Sequence, residues 1–210
     1  MELAGWYHLT LRTVTVASVP VLGEVENVTE SHIVAYYETV DGQTQGRHDV
    51  CTIEVRGSTD IVQTTLPDAF VDALPINRYT VDQQDGRIEA TFSEVVIGYD
   101  ASKGELPATI ADPQVADTDG DGFPAATIRV DIPLLDGVDA RMAQHNQVRI
   151  EGSWTGERYE GVSSLVIMEA VVLEADHPLF TRQPELRATE GDFTLTPLPA
   201  RSSCESLSEG

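Results

Sequence analysis

The sequence predicts a mostly β domain that folds as an antiparallel β-barrel or sandwich, with one short helix and one long loop insertion. Segments rich in β-branched residues alternate apolar and polar side chains along most of the chain. Asp-Gly pairs, which favour tight hairpin turns, separate several of these segments. Only one segment has the flanking prolines and the apolar spacing of a helix. The length of 210 residues suits a single domain, residues 1–210.

The first half of the chain contains six predicted strands arranged around two Asp-Gly turns. Asp41-Gly42 joins one pair of strands into a hairpin, and Asp85-Gly86 joins another. The strands are Trp6–Val16, which Pro20 ends, then His32–Val40, Asp49–Arg56, Ile61–Leu66, Asn77–Val81 and Arg87–Tyr99. Because adjacent residues of a strand point to opposite faces, only one of Tyr36 and Tyr37 can enter the core.

The one predicted helix spans Pro67–Pro75. A proline suits the first turn of a helix, the acidic Asp68 interacts favourably with the N-terminal end of the helix dipole, and the second proline ends the helix. Phe70, Val71 and Leu74 can form a single apolar stripe. We expect this stripe to pack against the sheet.

The second half of the chain opens with a long irregular segment, Asp100–Pro124. Loops of this length are usually functional or ordered by a metal, and its first part, from Lys103 onward, has too few apolar residues to order itself by burial. Strands follow at Ala126–Leu135, Gln147–Trp154 and Tyr159–Leu173, the last two forming a hairpin. The β core therefore covers residues 1–174. Residues 175–210 form an irregular segment that packs back on it and contains one candidate strand, Phe193–Pro197.

The charge balance excludes some classes of partner. Asp and Glu number 35 against 13 Lys and Arg, a formal net charge of -22. Such a field repels phosphate backbones, so we expect no nucleic-acid partner. No apolar run approaches the roughly 20 residues that span a bilayer, so we expect no transmembrane segment.

Two cysteines, Cys51 in a predicted strand and Cys204 in a polar tail, point to an oxidising compartment. An exposed free thiol in such a tail would be a liability, so we predict a Cys51–Cys204 disulfide, the alternative being two unrelated buried thiols. No signal peptide precedes Trp6-Tyr7, which suits either a cytosolic protein or one whose leader has been removed. The cysteines favour the second, and we expect a periplasmic, outer-membrane-anchored or extracellular protein.

The segment Asp117–Gly122 has the spacing of the first half of an EF-hand-type loop, DxDxDG. Ca²⁺ takes six to eight hard oxygen ligands. Alternate residues of a tight loop converge, so Asp117, Asp119 and Asp121 can direct three carboxylates at one ion. The last glycine permits the sharp turn, and the carbonyl of Phe123 supplies a further oxygen. The sequence therefore predicts a Ca²⁺ site, so that the long insertion is a calcium loop; the alternative is an ion-free acidic turn.

The loop departs from a regulatory EF-hand at its twelfth position, where Ile128 replaces the bidentate glutamate. The missing carboxylate must come from elsewhere. Asp112 is the first candidate, followed by Asp100 and Asp131. We expect a structural ion that orders the loop Asp100–Pro124.

No catalytic motif accompanies this loop. The five histidines form no HxH, HxxxH or HExxH set, no Gly-x-Ser-x-Gly elbow surrounds a serine, and no Gly-rich phosphate loop is present. The sequence therefore predicts a protein that is not an enzyme. Pairs of carboxylates able to hydrolyse a glycosidic bond remain an alternative, because their spacing across a fold cannot be read from a sequence.

Several features occur together along the chain. They are Trp6-Tyr7 in the first strand, the mid-sheet Cys51, Pro67-Asp68-Ala69-Phe70, Gly98-Tyr99-Asp100, the segment Asp117–Pro124 and the C-terminal Cys204. With these features the chain resembles uncharacterised secreted proteins and lipoproteins of myxobacteria and their relatives. That resemblance implies an envelope or extracellular location and no known activity.

A second, weaker resemblance is to lipocalins. Gly5-Trp6 at the start of the first strand, an antiparallel meander and a cysteine pair that ties the C-terminus to the barrel are similar to that family. The resemblance implies a barrel with a ligand cavity.

Three functions follow as hypotheses. The first is a calcium-stabilised, non-enzymatic binding or structural module of the cell envelope or exterior, with an unidentified protein or small-molecule partner. The second is a small-ligand carrier, which needs an apolar, unfilled barrel interior of several hundred Å³. The third is a carbohydrate-active hydrolase, which needs two carboxyl groups about 5–10 Å apart across a cleft.

Overall fold

The computed structural model describes residues 2–19, 23–57, 63–132, 135–180, 185–199 and 202–208. The strands are β1 (Gly5–Val19), β2 (Gly23–Val40), β3 (Gln43–Gly57), β4 (Gln63–Thr65), β5 (Asn77–Gln84), β6 (Arg87–Thr91), β7 (Val95–Ile97), β8 (Ala126–Ile132), β9 (Leu135–Trp154), β10 (Tyr159–Ala175) and β11 (Glu185–Pro197). The helices are α1 (Asp68–Asp72) and α2 (Cys204–Ser208). Across the described ranges, no helix has the length and apolar character needed to cross a bilayer.

All 11 strands belong to one antiparallel sheet that closes into a ring. Going round the ring, β1 pairs with β2, β2 with β3, β3 with β5, β5 with β6, β6 with β9, β9 with β10, β10 with β11, and β11 with β1. A second route connects β3 to β9 through β4 and β8. The predicted antiparallel β class is therefore confirmed.

The interior of the ring is filled by side chains. The buried residues of this core are Leu3, Tyr7, Leu9, Leu11, Ile33, Ala35, Tyr37, Tyr79, Val81, Ile88, Ala90, Phe92, Ile150, Tyr159, Phe193 and Leu195. Depressions of about 670 and 690 Å³ near the β2–β3, β5–β6 and β9–β10 turns are lined mostly by polar, solvent-exposed residues. Both of these depressions lie at the surface rather than inside the ring.

One polar side chain, His48, is buried within this core. Its Nδ1 lies 3.3 Å from the Tyr79 hydroxyl, which lies 3.0 Å from that of Tyr37. The ring of His48 also packs edge-on against Phe92, with 4.7 Å between the ring centroids. Burial lowers the pKa of His48 to about 3, so the imidazole is neutral in the folded protein at ordinary pH.

Both predicted Asp-Gly turns are present. Asp41 and Gly42 have φ of 51° and 80°, and Asp85 and Gly86 have φ of 50° and 76°, values that suit two-residue hairpin turns. Tyr37 enters the core at 1% exposure, and its neighbour Tyr36 lies on the outer face. The predicted strand end at Pro20 and strand start at Ile61 lie outside the described residues.

The predicted helix is confirmed, although it is shorter than the span between its two prolines. Pro67 caps α1, and Phe70 is buried against Ile97 and Ala126 of the sheet. The predicted disulfide is also confirmed, since Cys51 and Cys204 are bonded with their Cα atoms 5.1 Å apart. The bond attaches α2 to β3.

Several strands are longer than the sequence pattern predicts. β2 begins at Gly23 rather than His32, β9 begins at Leu135 rather than Gln147, and β11 begins at Glu185 rather than Phe193. The frequent residues in these added parts include Glu, Asp, Gly and Ala, which have low strand propensity. In β2 and β9 they are held by neighbours on both sides, and pairing of this kind overrides propensity.

Candidate metal site

The acidic loop lies between β7 and β8, against the outer face of β9 and β10. Tyr99, at the start of the loop, packs with Ala143 of β9 and Val171 of β10. Leu106 joins the same cluster, and Pro107 is fully buried. The expectation that the first part of the loop has too few apolar residues to be ordered by burial is therefore wrong, because Leu106 packs on the sheet and Pro107 is buried.

The two ends of the loop are bonded to each other. The Gly98 N–H donates to the Thr118 hydroxyl at 2.8 Å, the Ala116 N–H donates to the Gly98 carbonyl at 3.2 Å, and the Asp100 N–H donates to the Gln114 carbonyl at 2.8 Å. Gly98 has φ of 81°, and a Cβ there would lie 2.1 Å from the Met142 carbonyl oxygen. A glycine is needed at this position for the loop to lie so close to β9.

The three predicted carboxylates converge. One oxygen from each of Asp117, Asp119 and Asp121 lies within 4.8 Å of the other two. Elsewhere in the described ranges, no other three potential metal-ligating side chains converge in this way. The three aspartates of the DxDxDG motif thus direct their carboxylates at one point, as the sequence predicts.

Hydrogen bonds within the loop fix two of the carboxylates. Asp117 accepts from the N–H groups of Gly120 at 2.7 Å and Gly122 at 3.1 Å, one on each oxygen. Asp121 accepts from the Phe123 N–H at 2.8 Å and from the Thr127 hydroxyl. The two glycines have φ of 70° and 88°, which a residue with a side chain rarely adopts. The loop can therefore fold so that these carboxylates face the same point.

Asp119 is the most buried of the three, with 9% of its surface exposed. Its Oδ2 accepts from the backbone N–H of Thr127 at 2.9 Å. Its Oδ1 is buried and has no hydrogen-bond partner among the described residues. Burial raises the pKa of this carboxyl group, the Thr127 N–H lowers it, and the neighbouring charge of Asp121 raises it further.

The cluster carries excess negative charge. Within the part of the chain that the structure describes, no Lys, Arg or His forms an ion pair with Asp117, Asp119 or Asp121. A buried carboxylate oxygen without a partner is less stable than one that binds a cation. The residues present therefore fit a bound cation better than an ion-free turn.

The other predicted ligands are placed as follows. The Asp112 carboxylate accepts from the N–H groups of Ala108 at 2.7 Å and Thr109 at 2.9 Å, and it lies outside the acidic cluster. Asp100 pairs with Lys103, and Asp131 pairs with Arg129. Asp112 is thus not among the converging carboxylates, and its role as a further ligand stays a prediction.

Phe123 follows the cluster directly, and its side chain has a partner of its own. Its ring lies under the guanidinium of Arg141, with the carbon 4.6 Å from the ring centroid. Arg141 also forms ion pairs with Glu174 and Asp176. This stacking holds the end of the loop on β9. The role of the Phe123 carbonyl as a metal ligand stays a prediction.

Two threonines matter in the site that sequence reasoning did not single out. Thr118 binds the loop to the end of β7, and Thr127 contacts both Asp119 and Asp121 from the start of β8. A threonine next to a DxDxDG motif is too common to signal such a role.

Comparison of the chain with protein-family models, with curated proteins and with solved structures finds no match. The interpretation of the site therefore rests on its geometry.

Three histidines that form no motif in the sequence have polar partners in the fold. His8 and His32 stack on adjacent strands, with Nε2 of the first 3.1 Å from Nδ1 of the second. His145 lies between Glu94 and Glu169 at 3.0 and 3.6 Å. The pairing of strands brings these groups together.

Proposed function

We propose that Asp117, Asp119 and Asp121 bind one Ca²⁺ ion, and that the ion stabilises the fold of a non-enzymatic binding or structural module. The single observation that carries the proposal is the buried, unpartnered Oδ1 of Asp119 beside two further carboxylates. A cation at that point supplies the missing partner and neutralises the repulsion among the three groups.

The donor set favours calcium over other metals. All three ligating groups are carboxylates, hard oxygen donors that suit Ca²⁺ or Mg²⁺ rather than Zn²⁺ or copper. Mg²⁺ requires near-ideal octahedral geometry with short bonds, whereas Ca²⁺ tolerates irregular oxygen shells. A short loop that also bonds its carboxylates to backbone N–H groups fits the more tolerant ion.

The position of the cluster supports a structural role for the ion. The loop is bonded to the end of β7 through Thr118, to the start of β8 through Thr127, and to β9 through the stacking of Phe123 on Arg141. An ion held by the three aspartates would fix these connections relative to one another. A regulatory ion would need a second arrangement of the loop that Ca²⁺ disfavours.

The filled core favours a module over a carrier. The apolar side chains inside the ring occupy the place where a carrier would hold its ligand. The disulfide between Cys51 and Cys204 supports an extracytoplasmic location, because such bonds persist in oxidising compartments.

Thermal unfolding in Ca²⁺, in Mg²⁺ and in EDTA tests the proposal. We expect the melting temperature to rise in Ca²⁺ and to rise less in Mg²⁺. At a free Ca²⁺ concentration a hundred times the dissociation constant, binding of the ion raises the free energy of unfolding by about 2.7 kcal/mol. An unchanged melting temperature between EDTA and millimolar Ca²⁺ would overturn it.

A further inference from the structure

Most of the described lysine and arginine side chains have a carboxylate partner, as expected in so acidic a chain. Those with an ion pair are Arg12, Arg56, Lys103, Arg129, Arg141, Arg149, Arg158 and Arg187. Within the described residues, three arginines have none: Arg47, Arg78 and Arg87. Two of these three are neighbours in space.

Arg47 and Arg78 belong to a row of four residues that crosses four strands on the outer face of the barrel. Trp6 of β1 is the register partner of Tyr36 of β2, Tyr36 is the partner of Arg47 of β3, and Arg47 is the partner of Arg78 of β5. Because cross-strand partners share a face of the sheet, all four side chains lie on the outside. We call these four residues the outer row.

The guanidinium of Arg47 is held against the two aromatic rings. Its central carbon lies 5.1 Å from the centroid of Tyr36 and 5.7 Å from that of Trp6, and the two rings lie 5.0 Å apart. A cation–π contact of this kind holds the guanidinium near the rings, and its N–H groups can still bind an anion. The charge of Arg47 is thus held beside Trp6 and Tyr36 before any ligand arrives.

The placement of Arg78 opposite Arg47 gives no benefit to the fold. Like charges directly opposite each other on neighbouring strands are destabilising. The chain has 35 acidic residues and places one beside most of its other arginines. Two facing, exposed arginines that form no ion pair therefore point to a ligand that supplies the negative charge.

A depression of about 300 Å³ adjoins the outer row. Tyr36, Arg47 and Arg78 line it together with the neutral polar side chains of Gln45 and Thr80 and the carboxylate of Glu38. Glu38, Gln45 and Thr80 together offer hydrogen-bond donors and acceptors, so they can bind the hydroxyl groups of a ligand. The volume is at the lower end of the range for small-molecule sites.

We propose that the outer row and its depression bind a sugar acid, a monosaccharide that carries one carboxylate and several hydroxyl groups. The two arginines bind the carboxylate, and Glu38, Gln45 and Thr80 bind the hydroxyl groups. Glu38 disfavours a second carboxylate at the same place, and the net charge of -22 opposes extended polyanions. The ligand class follows because two arginines without an ion pair lie beside three side chains that can bind hydroxyl groups.

An NMR titration of the ¹⁵N-labelled full chain with sodium glucuronate tests the proposal, with glucose and acetate as comparison ligands. The indole N–H of Trp6 reports on the site, and that of Trp154, at the β9–β10 turn, is an internal control. Arg47→Gln and Arg78→Gln remove one charge each from the site. Arg87→Gln is the matched control, because it removes an equally unpaired arginine outside the outer row.

Saturable movement of the Trp6 signal with glucuronate is expected, with weaker binding of acetate and none of glucose. Arg47→Gln and Arg78→Gln should each weaken glucuronate roughly tenfold or more, the usual effect of losing a hydrogen bond to a charged group. Arg47→Lys keeps the charge but loses the planar fork, and it should also weaken binding. Arg87→Gln should bind as the wild type does.

Three results would overturn the proposal: no saturable shift at Trp6, an equal loss of binding in Arg87→Gln, or acetate binding as tightly as glucuronate. Amide spectra of each variant show whether it is folded, so a loss of binding through unfolding is recognised directly. The titration is run with Ca²⁺ present. It reports on residues of β1, β2, β3 and β5, none of which belongs to the aspartate cluster in the β7–β8 loop.

Discussion

The backbone N–H of Thr127 donates a hydrogen bond of 2.9 Å to Oδ2 of Asp119, which ties the acidic loop to the first residues of β8. The other oxygen of the same carboxylate is buried without a partner. The Asp119 side chain is therefore bonded to β8 through Oδ2, while Oδ1 is available to bind a cation.

We predict that Asp119→Asn abolishes the stabilisation by Ca²⁺ while the protein stays folded. Asparagine keeps a carbonyl oxygen for the Thr127 N–H, so the loop retains that bond, but the charge that attracts the ion is lost. The melting temperature in EDTA should stay near or above the wild-type value, since a desolvated charge has been removed. Scanning calorimetry in Ca²⁺ and in EDTA measures both effects.

Glu157→Gln is the control for that substitution. It removes the same charge from an exposed position in the β9–β10 turn, and it should leave the Ca²⁺-dependent rise in melting temperature unchanged. A full rise in the Asp119 variant would show that the ion binds elsewhere.

We predict that Ca²⁺ protects the loop from a lysine-specific protease. Lys103 is the only lysine of the chain, and it is exposed at the start of the loop. Bonds between Gly98 and Thr118 join this end of the loop to the aspartate cluster, so an ion that orders one end should slow cleavage at the other. The measurement is the rate of cleavage in EDTA and in Ca²⁺.

The products of that cleavage need reducing conditions to be seen, because the Cys51–Cys204 bond links the two fragments. Equal rates in EDTA and Ca²⁺ would contradict an ordering role for the ion. In the Asp119→Asn protein the two rates should be equal, which makes this variant the control.

We predict that loss of the disulfide destabilises the protein strongly. The bond closes a loop with a sequence separation of 153 residues. Loss of unfolded-chain entropy on closing so long a loop corresponds to about 5 kcal/mol as an upper figure. Chemical denaturation of the Cys51→Ser, Cys204→Ser protein should show most of this loss.

Reduction of the wild-type protein should reproduce the double variant, and the double variant itself should not respond to reductant. Equal denaturation midpoints for the oxidised wild type and the double variant would show that the fold does not depend on the bond.

We predict that His48 makes the protein less stable in mild acid. Burial lowers the pKa of this residue from 6.5 to about 3 in the folded state, so between these values the unfolded chain binds the extra proton. The free energy of unfolding therefore falls as the pH is lowered through this window. From pH 7 to pH 5 the loss due to His48 is about 2 kcal/mol.

His48→Phe should remove this part of the pH dependence, because the replacement does not titrate and the Tyr79 hydroxyl keeps its partner Tyr37. Denaturation midpoints of the wild type and of the variant, measured at a series of pH values, show the difference. Identical slopes for the wild type and the His48 variant would contradict the assignment.

Much of the fold and of the candidate site could be predicted locally. Asp41-Gly42 and Asp85-Gly86 define hairpins because few other pairs adopt positive φ so readily. The DxDxDG spacing brings Asp117, Asp119 and Asp121 together because alternate residues of a tight turn converge. Each of these signals lies within a few residues of chain.

Other features could not be predicted because they depend on partners far away in sequence. The strand character of the polar start of β2 comes from pairing with β1 and β3, and that of the start of β9 from pairing with β8 and β10. The order of the first part of the acidic loop depends on the packing of Leu106 on the outer face of the sheet and on the burial of Pro107. Asp112, the predicted further ligand, accepts hydrogen bonds from its own turn.

The sequence by itself determined the β class, the hairpin turns, the helix between two prolines, the cysteine pair and the convergence of three aspartates. The tertiary structure decided that the barrel is filled, that Asp119 keeps one oxygen unpartnered, and that Trp6, Tyr36, Arg47 and Arg78 form one row. The physical reason is the range of the interactions. Turn conformation and loop spacing are set by neighbouring residues, whereas burial, desolvation and cross-strand contact depend on which strands the closed sheet places side by side.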